Sequence, residues 1–280
     1  MPEVLGFPFV QRALVAVLLS GVLLGGLSHL VVARRLAFFS AAVGQAVLTG
    51  VALGVLLGEP LDAPWGSVFG FSLLLAVGLV FVRRHSQLPA DTLVGVLLAF
   101  TLGLGVCLLV LVTKRFNVHQ LEAVMFGSVL TVSRADLVVL AVLSVVVLVA
   151  VGRVANRLLL RAIDARLAAA ARVPDAQDEY LFVVLLTVAI VVSVKVMGAL
   201  MVEAMLVVPA ATARNSARSL AGAFLGGIGV AVTAGVGGLW VSTQVNVPSG
   251  AAIVLCLAAL FGLSLVWRLV TQRAERRTRS

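Results

Sequence analysis

Apolar runs of about twenty residues recur from one end of this chain to the other, and arginines punctuate them. Wound as a helix at 1.5 Å per residue, such a run matches the hydrocarbon core of a bilayer. No soluble domain has this composition: 61% of the 280 residues are hydrophobic and 12% are charged. The chain therefore reads as an all-α, polytopic membrane protein. A transmembrane barrel needs short alternating strands, and none are visible. The net charge of +9 does not point to nucleic acid, because the basic residues sit between apolar runs in the positive-inside pattern. Cys107 and Cys256 lie within apolar runs and read as buried thiols, not a disulfide. The first residues, from Met1 to Gly21, lack an early basic cluster and a small-residue cleavage site, so they read as an uncleaved first span.

Span one runs from about Arg12 to Ala33 and stops at Arg34-Arg35. Span two covers about Ser40 to Gly58, span three Ser67 to Val82, span four Thr92 to Val112 and span five Leu137 to Val151. The piece Ala123 to Leu130 is apolar but too short to cross, which suits a re-entrant or interfacial helix. Arg153 to Glu179 is the only long polar stretch, and its first part, Arg153 to Arg172, has the spacing of an amphipathic helix. The apolar region Tyr180 to Ala213 is too long for one crossing helix, so it is split near Lys195 to Gly198 into spans six and seven. Span eight covers about Leu220 to Trp240 and span nine Ala251 to Trp267. This gives about nine spans in one domain, residues 1–280, with residues 153–179 as a cytosolic loop; leaving Tyr180 to Ala213 whole would give eight. With nine, Arg34/Arg35, Arg83/Arg84, Arg153 to Arg172 and Arg214/Arg218 all fall inside. Gly50, Gly54 and Gly58, and the glycine-dense span eight, offer faces for close helix packing and for a homodimer.

Most of the chemistry concentrates between Val194 and Arg214. Glu203 interrupts an apolar segment there, at a cost of roughly 2.5–3.5 kcal/mol on insertion scales. Such an acid either lines a water-filled path or is a structural group paired with a neighbour such as Lys195. Pro209 removes a backbone donor and predicts a kink or an end. Met201 and Met205 read as packing. His29 lies inside a span and is a second candidate for lining a path, whereas His85 and His119 fall in loops. No GxxxxGK[ST], HExxH or GxSxG motif is present, so any ATP is bound by another subunit. The Arg153–Arg172 helix is the natural docking element for it; the alternative is a helix lying on the membrane surface.

Several stretches resemble the zinc/manganese permeases of ABC importers. They are Arg34-Arg35-Leu36-Ala37-Phe38-Phe39, Val51-Ala52-Leu53-Gly54, Asp91-Thr92 and Phe126-Gly127-Ser128-Val129-Leu130. Val194 to Leu200, Val208-Pro209-Ala210-Ala211-Thr212-Ala213 and Pro248-Ser249-Gly250 continue the series in order, over nearly the whole chain. The resemblance implies the fold of type II ABC importer permeases in a bacterial cytoplasmic membrane. It implies a homodimer with two copies of a cytosolic ABC ATPase, fed by an extracytoplasmic substrate-binding protein. It also implies zinc or manganese as cargo, with no cofactor in this chain. Leu158 to Asp164 resembles the family's segment leading into the helices that contact the ATPase, which nominates Arg161, Ile163, Asp164 and Arg166 for docking.

One departure bears on the cargo. Where the family typically reads Gly-Asp-Ala-x-Ser-His, this chain reads Ser40-Ala41-Ala42-Val43-Gly44-Gln45. The family's Asp and His, four apart, share a helix face; here Ala41 offers no ligand and Gln45 only a neutral amide oxygen. The path is therefore expected to use Glu203, Gln45, His29 and Ser40, with Glu203 and His29 as metal ligands. The alternatives are import of a chelated metal or other small solute, an intramembrane enzyme, for which the polar residues are too scattered, and a degenerate permease with a scaffold role.

Overall fold

A computed structural model describes residues 8–59, 64–86, 88–113, 132–163, 166–167, 175–217, 219–245 and 247–278. Within them the chain forms nine helices: α1 Pro8–Ala33, α2 Ala37–Leu56, α3 Trp65–His85, α4 Ala90–Thr113, α5 Arg134–Ile163, α6 Asp175–Met197, α7 Ala199–Ser216, α8 Leu220–Val245 and α9 Ser249–Thr278. Each expected span has its helix. Eight are long and apolar enough to cross a membrane; the ninth is α7, which carries Glu203 and an internal Pro209. The apolar piece Ala123 to Leu130, His119, Asp164 and Arg218 lie outside the described residues.

The long apolar region breaks where its length requires. Gly198 has φ 86° and ψ 155°, a backbone open to glycine and strained for any other residue, and it ends α6 and begins α7. Pro209 does not end α7; it sits buried within the helix. Span five differs from expectation. Helix α5 does not stop at Val151 but continues to Ile163, and its 30 residues reach about 45 Å, well past a bilayer core of about 30 Å. The first half of the expected separate helix is thus an extension of α5. Val154 and Leu158 are buried on it, and Arg157 pairs with Asp178 of α6 at 3.3 Å.

Helices α1, α2 and α6 form the enclosed centre, while α4, α5, α8 and α9 lie outside them. Small residues allow the closest contacts. Gly21 and Gly25 of α1 meet Val232 and Ile228 of α8 backbone to backbone, and Gly50 of α2 lies against the Val68 backbone of α3. The Gly50/Gly54 ridge therefore packs within the chain, and Gly58 is a helix cap, so this ridge does not provide a face for a second copy.

Charged residues collect at the two ends of the bundle. At one end, Glu179 of α6 meets Arg34 at 3.6 Å, Arg83 at 3.1 Å and Arg84 at 3.5 Å. At the other, Lys195 of α6 pairs with Asp136 of α5 at 3.1 Å and lies 4.1 Å from the centre of the Trp65 ring of α3. Glu59 there accepts hydrogen bonds from the Ser67 N–H (3.1 Å) and hydroxyl (2.8 Å), capping α3, whose N-cap Pro64 has no side-chain acceptor. The arginine-rich end faces the cytoplasm by the positive-inside rule.

Candidate translocation path

Helix α7 begins at the Gly198 break, and Glu203 stands about one turn further on. Met201, Val202, Met205 and Leu206 are buried, while Ala199, Glu203, Val207 and Ala211 share a half-buried stripe. Among the described residues Glu203 has no hydrogen bond and no ion pair. Lys195, its nominated structural partner, is engaged by Asp136 and Trp65 instead. The pairing that would have made Glu203 a structural acid does not form.

Helix α2 presents a matching stripe, with Ala41, Gln45 and Leu48 half-buried on one face. Gly44 of this helix approaches α7: a Cβ at Gly44 would stand 3.3 Å from the Cβ of Ala199. Gln45 is next in sequence to that contact and Glu203 one turn beyond it, so the two belong to the same region. The Gln45 backbone carbonyl accepts the Thr49 hydroxyl at 3.1 Å, and its side-chain amide makes no hydrogen bond among the described residues. Ser40 is buried, and its hydroxyl donates to the Ala37 carbonyl at 2.8 Å, turned into its own helix.

His29 is elsewhere. It lies near the cytoplasmic end of α1 and lines a cavity with Arg35 and Arg214. Glu203 and Arg214 are eleven residues apart on α7, about 16 Å along the axis. One ion with ligands at about 2 Å cannot touch both Glu203 and His29. The structure thus puts Gln45 on the helix that meets α7 one turn before Glu203, engages the Ser40 hydroxyl within its own helix, and leaves His29 at the other end. No group of three or more His, Cys, Asp or Glu able to hold a metal occurs among the described residues.

Of the docking candidates, Arg161 lines a cavity of about 530 Å³ with Arg34, Arg35, Arg83, Arg84 and Glu179. Arg166 is exposed and helical. Ile163 ends α5, its side chain outside the described set, as is Asp164 altogether. The Glu179 cluster and the Asp136–Lys195 pair went unread in the sequence. The available signal was their position: each charged residue stands at the mouth of a span.

Among the described residues, two end belts of charge flank nine helices and a carboxylate without a partner. The sequence matches the ABC 3 transport family over residues 6–268. The chain belongs to that family. The manganese import system permease protein ScaB of Streptococcus gordonii is 30% identical over 92% of this chain and 91% of its own length. The high-affinity zinc uptake system membrane protein ZnuB of Haemophilus influenzae is 30% identical over 90% of this chain and 96% of its own. Among solved structures, PsaBC from Streptococcus pneumoniae in complex with Fab superposes with a TM-score of 0.79 at 30% identity, covering 92% of this chain and 91% of that one. As an ABC 3 permease, the chain is a multi-pass membrane subunit with no catalytic role of its own, and it works with a separate ATPase and a substrate-binding protein.

Proposed function

We propose that this permease moves a divalent metal ion, manganese or zinc, across the cytoplasmic membrane by alternating access. It does so as a homodimer carrying two copies of the ATPase. The names of the relatives, a manganese importer and a zinc importer, support the cargo class. The observation that carries the reading is Glu203, a half-buried carboxylate inside the bundle without a partner among the described residues. A charge held there needs water or a cation to offset its desolvation.

The donor set favours one metal over the other. Glu203 offers carboxylate oxygens and Gln45 an amide oxygen, and neither supplies the imidazole or thiolate that zinc prefers. Oxygen ligands suit manganese. Two ligands leave most positions on the ion to water, which fits a site for passage. The end of α5 and the residues that follow it, with Arg161, Ile163, Asp164 and Arg166, form the proposed ATPase contact, and the extension of α5 carries them past the membrane surface.

The test is uptake of manganese and of zinc by cells lacking their own importers, at matched levels of folded transporter. Glu203→Gln retains shape and removes the charge, and is expected to cut manganese uptake at least tenfold while leaving assembly intact. Glu203→Asp is expected to do less. Undiminished uptake in Glu203→Gln would take Glu203 off the path. Ala41, which offers no ligand, favours a second cargo, a chelated metal; uptake that appears only when a chelator is supplied with the ion would select it.

A further inference from the structure

Between α1, α5, α7 and α8, at the cytoplasmic end, lies a cavity of about 380 Å³ that metal passage does not explain. His29 projects into it, only 8% exposed, and neither ring nitrogen has a hydrogen-bond partner among the described residues. The ring is held in place: it stacks on Phe224 with centroids 5.4 Å apart. It also rests on Gly227, where a Cβ would stand 3.0 Å from Cε1. Either tautomer retains one N–H donor that a buried site has to satisfy. Arg35 and Arg214 line the same cavity, and neither side chain makes an ion pair with a described residue.

Two guanidiniums and an unsatisfied ring call for an anion rich in acceptors, and they repel a divalent cation. A phosphate fits best, because its oxygens match the fixed fork of an arginine. The remaining wall is apolar, formed by Leu159, Leu220 and Phe224. An occupant with a phosphate and a greasy remainder is an amphiphile. The site lies where the spans end on their basic side, the depth of inner-leaflet headgroups. Arg35 adds a further sign. It occupies a left-handed position, φ 57°, that a helix cap normally gives to glycine, so its side chain is held at this mouth against the local backbone preference.

We infer that this cavity binds the phosphate of an anionic phospholipid from the inner leaflet, held by Arg35, Arg214 and His29. The site is independent of the cargo. Leu159 belongs to the extension of α5 that leads to the proposed ATPase contact, so an occupied cavity steadies that extension.

The test uses the purified complex of this chain with its ATPase, delipidated in detergent. Phosphatidylglycerol in mixed micelles is expected to raise its melting temperature by several degrees, and phosphatidylcholine to leave it unchanged. Arg214→Gln and Arg35→Gln should each remove at least half of the shift and the pair should abolish it, with one fewer lipid retained per chain by native mass spectrometry. Arg12→Gln makes the same charge change at the far end of α1 and should leave the shift intact. Inorganic phosphate is the arm that separates sources: a shift with phosphate alone, lost in the same variants, would assign the site to a soluble phosphate and overturn the lipid. A full lipid response in the double variant would overturn the site. So would loss of ATPase from the double variant, which would place these arginines against carboxylates of the partner.

Discussion

The turn that closes α1 and the turn that closes α2 share one hydrogen-bond pattern and carry opposite chemistry. After α1, the Leu36 N–H donates to the Val31 carbonyl (2.9 Å) and the Arg35 N–H to Val32 (3.2 Å). After α2, the Glu59 N–H donates to Gly54 (2.9 Å) and the Gly58 N–H to Val55 (3.2 Å). Both are Schellman caps, which want glycine at the left-handed position. The outer turn has it in Gly58 (φ 85°), whereas the inner turn has Arg35 (φ 57°). The rest of each end follows suit. At the outer end, the Glu59 carboxylate caps α3, and Asp136 receives the Ser133 hydroxyl at 2.7 Å as well as Lys195. Inside, one Glu179 faces three arginines, and Arg35 and Arg214 have no counter-ion among the described residues. The outer end is closed by its own residues. The inner end leaves Arg35 and Arg214 open to a partner from beyond the described residues.

The largest expected effect is at the inner cluster. Glu179→Gln leaves Arg34, which is as buried as Glu179, without its carboxylate, and is expected to cost about 3–5 kcal/mol. It should show as a lower melting temperature and a poor yield of folded complex; a wild-type melt would mean that the arginines neutralise themselves elsewhere. Next come the two caps, whose substitutions should have opposite signs. Gly58→Ala forces a Cβ into the left-handed region and should cost about 1–2 kcal/mol, whereas Arg35→Gly relieves that strain and should gain up to about 1 kcal/mol in detergent without lipid. Equal signs in the two melts would break the comparison. The smallest effect is at the outer pair. Asp136 and Lys195 are both partly exposed, so Lys195→Gln should cost no more than about 1 kcal/mol, less in high salt.

Much of the bundle was readable because it depends on length and periodicity. Tyr180 to Ala213 overshoots a bilayer, and Gly198 supplies the break. The end of α5 was not readable: Arg153 and Arg157 suggest the edge of a span, but Asp178, from another helix, satisfies Arg157 and the helix runs on. Lys195 shows the same limit. Glu203 is its near neighbour in sequence, yet its partner is Asp136, which belongs to another helix. His29 was readable as an odd residue and not as a neighbour of Arg214, since that contact depends on how α1 and α7 pack together.

Helix α6 is a strut pinned at both ends, by Glu179 to α1 and α3 and by Lys195 to α5. Helix α7 is joined to it through a single residue, Gly198, whose backbone is the least restricted in the vicinity. In mechanical terms the pair is a fixed post and a swinging arm, with the pivot about one turn from the carboxylate. A small rotation there carries Glu203 through a short arc and the cytoplasmic end of α7 through a much longer one. Displacements at the inner face are therefore geared down before they reach Glu203, and α6 need not move at all.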